Sequence, residues 1–250
     1  MEENVKYGQQ DFNLPHDVVP LPSGGKFYTN NKKSVKVGYL TAQDENVLAS
    51  SLKTDENIIV SLLKNKIYEP DMKVHDLLEG DVEALLIFLR NTAFGPEYTF
   101  KSTDPKTGKE FNGQVLLDQI NIKQPNHTPN QKGFFEFNLP KTNKNVECRL
   151  LTMGDNEELR KLEEQYPQGM VVPSVTNKLL KQIVSVDGNT DKEQISKFIM
   201  TLPIMDSKFI RNSLLECEPR LDLDKSISAP SGEKVKVRIT FGAEFFRPFF

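Results

Sequence analysis

The chain has 250 residues, 37% hydrophobic and 27% charged, a balance typical of a globular protein with one large or two small domains. Its formal net charge of -3 gives no general attraction to nucleic acid or to an anionic membrane. The sequence has no apolar run near the roughly 20 residues that cross a bilayer, no signal-peptide pattern, and only two cysteines, which favours a reducing compartment.

The first part of the chain is predicted to form an arm followed by a small hairpin. Residues 1–22 contain few large apolar side chains and no sustained period, so we expect an extended arm that becomes ordered only when something holds it. Residues 21–28 read as a turn entering a strand, and residues 34–40 alternate as a half-buried strand does. Together these two segments predict a hairpin.

Three main helices are predicted next, with a short helix around Val74 to Leu78 between the second and the third. A Thr-x-x-Asp capping box at residues 41–44 indicates a helix to about Ser51, and Thr54 begins another. Asp81 is predicted to cap a third helix, which Gly95 ends. The apolar positions that recur on one face are Ile58, Ile59, Leu62, Leu63 and Ile67 in the second helix, and Val82, Leu85, Leu86 and Leu89 in the third.

Two hairpins, one in each half of the chain, end in tips that look like zinc-ribbon knuckles without their cysteines. A structural zinc requires about four ligands, and the two cysteines of the chain stand alone elsewhere. We therefore predict that both hairpins are metal-free and have a scaffolding role that depends on their shape. The residues at the places where a Cys-x-x-Cys-Gly knuckle would put thiolates are Asp104 and Thr107 in the first tip, and Ser228 and Ser231 in the second.

The second half of the chain repeats the order of elements in the first. A polar linker at residues 125–132 precedes two predicted strands at 133–139 and 145–151. Four helices and the second ribbon-like hairpin follow. We predict an α+β fold with an N-terminal lobe at 23–124 and a C-terminal lobe at 133–250, each a hairpin, a helical cluster and a ribbon-like hairpin. An internal duplication and independent similarity both stay open. The four helices begin near Thr152, Pro173, Asp191 and Met205. Ile183 is predicted to lie on the apolar face of the second of these helices, and Phe209 is predicted to point inward from the fourth.

The sequence lacks the residue patterns of common active sites. Its three histidines are isolated, and residues 23–26 lack the full spacing of a phosphate-binding loop. The acidic residues between 76 and 83 are explained better by helix capping and the helix dipole than by a bound cation. Cys148 and Cys217 are predicted to be buried apolar side chains. We therefore predict no catalytic, cofactor-binding or metal-binding residues.

The C-terminus carries five aromatic rings in its last ten residues. Two interpretations are open: the tail completes the core of its own chain, or some of its rings fill a pocket on a neighbouring protein. The second interpretation gives a set of candidate partner-binding residues. They are Phe245, Phe246, Arg247, Phe249 and Phe250 in the tail, with Phe12 and Leu14 in the arm.

Several short motifs resemble those of one phage family. They lie at 21–28, 39–45, 78–86 and 94–98 in the first half, and at 186–188, 202–207, 210–211 and 245–248 in the second. Their order along the chain looks like that of the baseplate hub and tail assembly proteins of T-even-type contractile-tailed phages. The resemblance extends from about Leu21 to the C-terminus. Hairpin tips in that family commonly carry Cys-x-x-Cys-Gly, and this sequence departs from the family there.

The resemblance implies a structural role without catalysis, as a subunit in the hub region of a tail baseplate. We expect such a subunit to be assembled in the host bacterial cytoplasm and to reside in the virion. Its expected partners are other baseplate and tail proteins or further copies of itself, with no nucleic acid, membrane or small-molecule substrate. Two alternatives stay open: an assembly chaperone that is absent from the mature virion, and a metal-independent enzyme.

Overall fold

The computed structural model describes residues 15–50, 62–167 and 169–246 and shows a mixed α+β protein. Small antiparallel hairpins alternate with groups of helices, which confirms the predicted fold class. The elements of the first half are β1 (His16–Pro20), β2 (Ser34–Gly38), α1 (Ala42–Ser50), α2 (Glu79–Phe94), β3 (Glu97–Thr103), β4 (Glu110–Leu116) and β5 (Ile122–Lys123).

The first hairpin pairs β1 with β2, so its first strand lies within the predicted arm. The predicted strand near Tyr28 is wrong, because residues 22–27 form consecutive turns. Gly25 explains the tight loop: its φ is 76°, and a Cβ atom there would lie 2.7 Å from the carbonyl oxygen of Asn31. Residues 1–14 of the predicted arm lie outside the described residues.

The start of α1 and the end of α2 lie where the sequence indicates. At the start of α1, the Thr41 amide donates to Asp44 Oδ2 at 2.7 Å, which confirms the predicted capping box. The helix predicted from Thr54 falls mostly on residues 51–61, outside the described residues. Helix α2 ends before Gly95, as predicted, and it buries Val82, Leu85, Leu86 and Leu89.

In the second half, two helices separate the second and third strands of a three-stranded sheet, and two further helices and a final hairpin follow. Ile183, predicted to lie on a helix, belongs to the third strand of this sheet. The reason is that Ile183, Val184 and Val186 supply a β-branched run that pairs with β7. The elements are β6 (Phe135–Asn138), β7 (Asn145–Cys148), α3 (Met153–Glu164), α4 (Ser174–Gln182), β8 (Ile183–Val186), α5 (Lys192–Met200), α6 (Ile204–Cys217), β9 (Arg220–Leu221), β10 (Asp224–Ser228) and β11 (Lys234–Arg238).

The two halves share a hydrophobic core. Strand β5 of the first half pairs with β9 of the second, with Ile122 opposite Leu221. The Met153 amide at the start of α3 donates to the carbonyl oxygen of Leu77 at 2.8 Å. Buried side chains from both halves form one contiguous cluster. The lobe boundaries stay a prediction, although the contacts between the halves are extensive.

Candidate functional site

Asp81 fastens the glycine-containing loop before β2 to the start of α2. The prediction that it caps the helix is wrong, because α2 begins at Glu79. Its buried carboxylate instead accepts hydrogen bonds from the Ser23 amide at 2.8 Å and from the Tyr28 hydroxyl, and that hydroxyl accepts from the Leu78 amide at 2.9 Å. Burial raises the pKa of Asp81, against the effect of these hydrogen bonds. The loop at 23–26 thus has a structural role.

A group of carboxylates lies where α2 approaches the end of α6. Glu79 and Glu83 are one helical turn apart, and Glu218 follows α6. Burial, followed by repulsion from Glu79, raises the pKa of both Glu83 and Glu218 to about 7. The charge of Arg238 opposes this shift at Glu83, and the charges of Arg220 and Lys178 oppose it at Glu218. In the described part of the chain, no three His, Cys, Asp or Glu side chains are placed to hold a metal ion.

The two ribbon-like hairpins, β3–β4 and β10–β11, meet at their tips. Asp104 accepts a hydrogen bond from the Ser231 hydroxyl at 2.8 Å and another from the Ser231 amide at 3.1 Å. The Lys106 and Thr107 amides also donate to this carboxylate. Burial opposes ionisation of Asp104, but the hydrogen bonds outweigh burial and lower its pKa.

The hairpin tips do not fit a zinc ion. Among the four knuckle side chains, those of Asp104 and Ser231 bond each other across the two hairpins. Ser228 accepts a hydrogen bond from Lys234 Nζ, and Thr107 is exposed. The four side chains supply one carboxylate and three hydroxyl groups, and the carboxylate is already held by hydrogen bonds. Thiolate and imidazole ligands, which structural zinc sites use, are missing.

The aromatic tail begins inside the core of the chain. Phe245 and Phe246 are 0% and 2% exposed, so these two rings complete their own core, the first of the two interpretations. Phe245 packs on Tyr98 with ring centroids 5.2 Å apart. Arg247, Phe249 and Phe250, like Phe12 and Leu14, lie outside the described residues. Partner binding by the predicted set therefore stays a prediction.

Buried Arg90 connects this tail to the first half. Its guanidinium lies over the rings of Phe94, Tyr98 and Phe245 at 5.3, 5.7 and 5.9 Å from their centroids. The same group donates to the carbonyl oxygens of Gly95 and Glu97 at 2.9 and 3.1 Å. Burial lowers the pKa of Arg90.

The histidines and cysteines do not come together into a reactive group. His75 pairs with Glu157 at 3.1 Å, while the ring of His127 meets that of Phe137 edge-on. His16 lies on β1, next to Tyr68. Cys148 and Cys217 are fully buried, as predicted, and burial raises their pKa values to about 12 and 11. These thiols therefore stay protonated at neutral pH.

An exposed apolar surface lies at the connection between α5 and α6. Ile204 is 84% exposed, and Met200 and Met205 beside it are also exposed. Phe209, predicted to point inward, contacts Phe137 and still leaves 37% of its surface exposed. We call Met200, Ile204, Met205 and Phe209 the α5–α6 surface. Sequence analysis missed it, although Met205 and Phe209 have the i, i+4 spacing of one helix face.

A cleft of about 330 Å³ opens between three helices of the second half. Sequence analysis missed this cleft because its residues come from α3, α4 and α6, and no local pattern connects them. Its lining combines basic and apolar groups. The lining residues are Asn156, Leu159, Arg160, Glu163, Ser174, Val175, Lys178 and Arg211.

None of the helices in the described ranges has the length and apolar character to cross a membrane.

The chain is similar to one known protein family. No curated protein and no solved structure matches it significantly. A family model described as T4 bacteriophage base plate protein matches residues 16–247. This range begins at β1 and includes both ribbon-like hairpins and every described helix. The chain therefore belongs to the T4 bacteriophage base plate protein family.

Proposed function

We propose that this protein is a structural subunit of the hub region of a contractile phage tail baseplate and acts through protein-protein interfaces. The observation that carries the proposal is the match to the baseplate family, which is continuous over residues 16–247. The subunit carries out no catalysis and holds no cofactor. It assembles in the host bacterial cytoplasm and binds other tail proteins, not nucleic acid, membrane or a small-molecule substrate.

The α5–α6 surface supports an interface role. Four large apolar side chains, from Met200 to Phe209, are exposed within ten residues of chain, and two of them are methionines. Clustered exposed apolar side chains are typical of surfaces that another protein covers. Methionine and phenylalanine are also enriched at the centres of protein interfaces.

The proposal is tested by asking where the protein resides and what its loss does. Purified virions are digested and examined by mass spectrometry, and particles made by a phage with an early stop codon in this gene are imaged. We expect peptides of the chain in wild-type virions and incomplete baseplates in the mutant. If the mutant makes incomplete baseplates but wild-type virions contain no peptides of the chain, the protein is an assembly chaperone. Intact baseplates in the mutant would contradict both roles.

The surface itself is tested by an Ile204→Ser, Met205→Ser double variant supplied to the mutant phage. Both side chains are exposed, so we expect an unchanged melting temperature and a loss of completed baseplates. Val18→Ser removes another exposed apolar side chain, from β1, and serves as the control. Normal baseplates from the double variant would rule out this surface as an interface.

A further inference from the structure

The cleft is lined by one face of α3, by the first turns of α4 and by Arg211 from the middle of α6. Asn156, Leu159, Arg160 and Glu163 are spaced i, i+3, i+4 and i+7, so they lie along one side of α3. The start of α4 contributes Ser174, Val175 and Lys178, and Arg211 approaches from α6. Side chains from three rigid helices therefore surround a shared space.

Among the residues lining the cleft, cations outnumber carboxylates, while Glu218, outside the lining, interacts with the charge of Lys178. Arg160, Lys178 and Arg211 line it, against one lining carboxylate, Glu163. Arg160 also pairs with Glu164 at 2.6 Å, and the Nε of Arg211 donates to the Ser207 carbonyl oxygen at 3.3 Å. The protein as a whole has a net charge of -3, so this basic group is a local feature. Its charge favours an anionic occupant.

Apolar groups lie beside these cations. Leu159 is buried at the α3 side of the cleft, and Val175 is exposed at its α4 side. A free inorganic anion would leave the exposed Val175 side chain in water. An acidic side chain next to an apolar one would satisfy both parts.

The size of the cleft further narrows the choice of occupant. A volume of about 330 Å³ is at the low end for a small-molecule site, and it accommodates one or two side chains. Guanidinium groups bind carboxylates through two parallel hydrogen bonds, which gives direction as well as charge. Arg211, which is exposed on α6, can provide such a group.

We infer that this cleft binds an acidic side chain, carried next to an apolar one on a segment of a neighbouring baseplate protein. The inference rests on the proposed function and names the chemistry of one of its interfaces. This contact is separate from the α5–α6 surface, because none of the four residues of that surface lines the cleft.

The test uses the full chain with Lys178→Glu and Arg211→Glu, supplied to the phage that carries the stop codon. Both residues are exposed, and the variant reverses two of the three cations. Losing one charged contact of ~1.4 kcal/mol corresponds to about a tenfold weaker interaction, so we expect infective yield to fall by at least about tenfold. The control, Lys192→Glu with Lys236→Glu, makes the same change of charge at exposed lysines outside the cleft, and it should retain full yield.

Suppressor selection identifies the occupant. Revertants of the double variant should carry an acidic-to-basic change in another tail protein, since that change restores complementary charge. If the double variant melts early, the neutral Lys178→Gln, Arg211→Gln pair replaces it. A folded variant with full yield would overturn the inference, as would suppressors confined to this chain. Intact baseplates in the stop-codon mutant would instead contradict the proposed function, so the two failures are distinguishable.

Discussion

The junction around α2 and the helical face of the second half use polar and apolar residues in opposite ways. At the junction, Asp81 and Arg90 are buried with 0% and 1% of their surface exposed, and hydrogen bonds hold both. On the helical face, Ile204 is 84% exposed. Buried polar groups with specific partners fix the local arrangement of the first half, while exposed apolar groups are typical of surfaces that another protein covers. In the proposed function, stability and recognition therefore belong to different regions.

The largest loss of stability is expected from Gly80→Ala at the junction. A Cβ atom at this position would lie 2.1 Å from the Pro219 carbonyl oxygen and 2.8 Å from the Arg220 Cα, and both of these neighbours are backbone atoms. Alanine normally stabilises a helix by about 1 kcal/mol relative to glycine, but this overlap separates α2 from β9. We expect the free energy of unfolding to fall by roughly 3 kcal/mol, measured by urea denaturation.

Gly154→Ala is the matched control for this substitution. Gly154 is also near the start of a helix, but a Cβ atom there would lie 3.0 Å from its nearest neighbour, the His75 carbonyl oxygen. Its effect should be clearly smaller. If both variants lose the same free energy of unfolding, the close contact of α2 with Pro219 does not contribute more to stability than an ordinary contact.

Asp81→Ala should produce the next largest effect. The substitution leaves the Ser23 amide and the Tyr28 hydroxyl without their acceptor in a buried place. Unsatisfied buried donors cost about 1–3 kcal/mol each, so we expect a loss of roughly 2–3 kcal/mol in the free energy of unfolding. Asp118→Ala removes an exposed carboxylate and should change stability little. Comparable urea midpoints for the two variants would contradict the role of Asp81 as an anchor.

The junction and the helical face also differ in how far the sequence predicts them. The start of α1 and the end of α2 could be predicted, because a capping box and a Gly-Pro pair act within a few residues. The role of Asp81 could not, since its donors lie 58 and 53 positions away in sequence. Strand β8 was missed because its short apolar run fits a helix as well as a strand.

At the hairpin tips, the cleft and the tail, the sequence likewise indicates local features but not contacts between distant residues. The sequence indicates both hairpins and their unusual tips, but not that Asp104 meets Ser231 across 127 positions. The cleft depends on packing of three helices, and its cations look like ordinary solvated residues in the sequence. Burial of Phe245 could be stated only as one of two alternatives, since aromatic rings suit a core and an interface equally.

A smaller, pH-dependent effect is expected from Glu83→Gln or Glu218→Gln. Because the pKa of each carboxyl is raised to about 7 in the folded protein, the folded state binds the proton more tightly than the unfolded state does. Wild-type stability should therefore fall as pH rises from about 4.5 through 7. Each glutamine variant should match the wild type below this window and melt roughly 2–4 °C higher above it.

Glu193→Gln provides the control for the carboxylate group. Glu193 is an exposed residue on α5, away from the junction. Its replacement should give no pH-dependent gain. Thermal melts at pH 5 and pH 8 are sufficient, and an equal change of melting temperature at both values for Glu83→Gln would show that the charge of Glu83 does not oppose folding.

The smallest effect is expected at the hairpin tips. Ser231→Ala removes the hydroxyl that donates to Asp104 but keeps the hydrogen bond from the backbone amide at this position. We expect the melting temperature to fall by about 1–2 °C, because one partly exposed hydrogen bond contributes little. Ser228→Ala, on the same hairpin, should change it less, since its partner Lys234 is exposed.

A double-mutant cycle with Asp104→Asn separates the contact between the tips from folding within each hairpin. Asparagine keeps the size of the side chain and can still accept a hydrogen bond, but it lacks the charge that Ser231 and the Lys106 and Thr107 amides stabilise. If the two tips hold each other, the two substitutions together should cost less than the sum of their separate effects. Strict additivity would mean that the contact between Asp104 and Ser231 adds no coupling energy. The hairpins would then be held together by other contacts, such as the packing of Gly113 against Ile227.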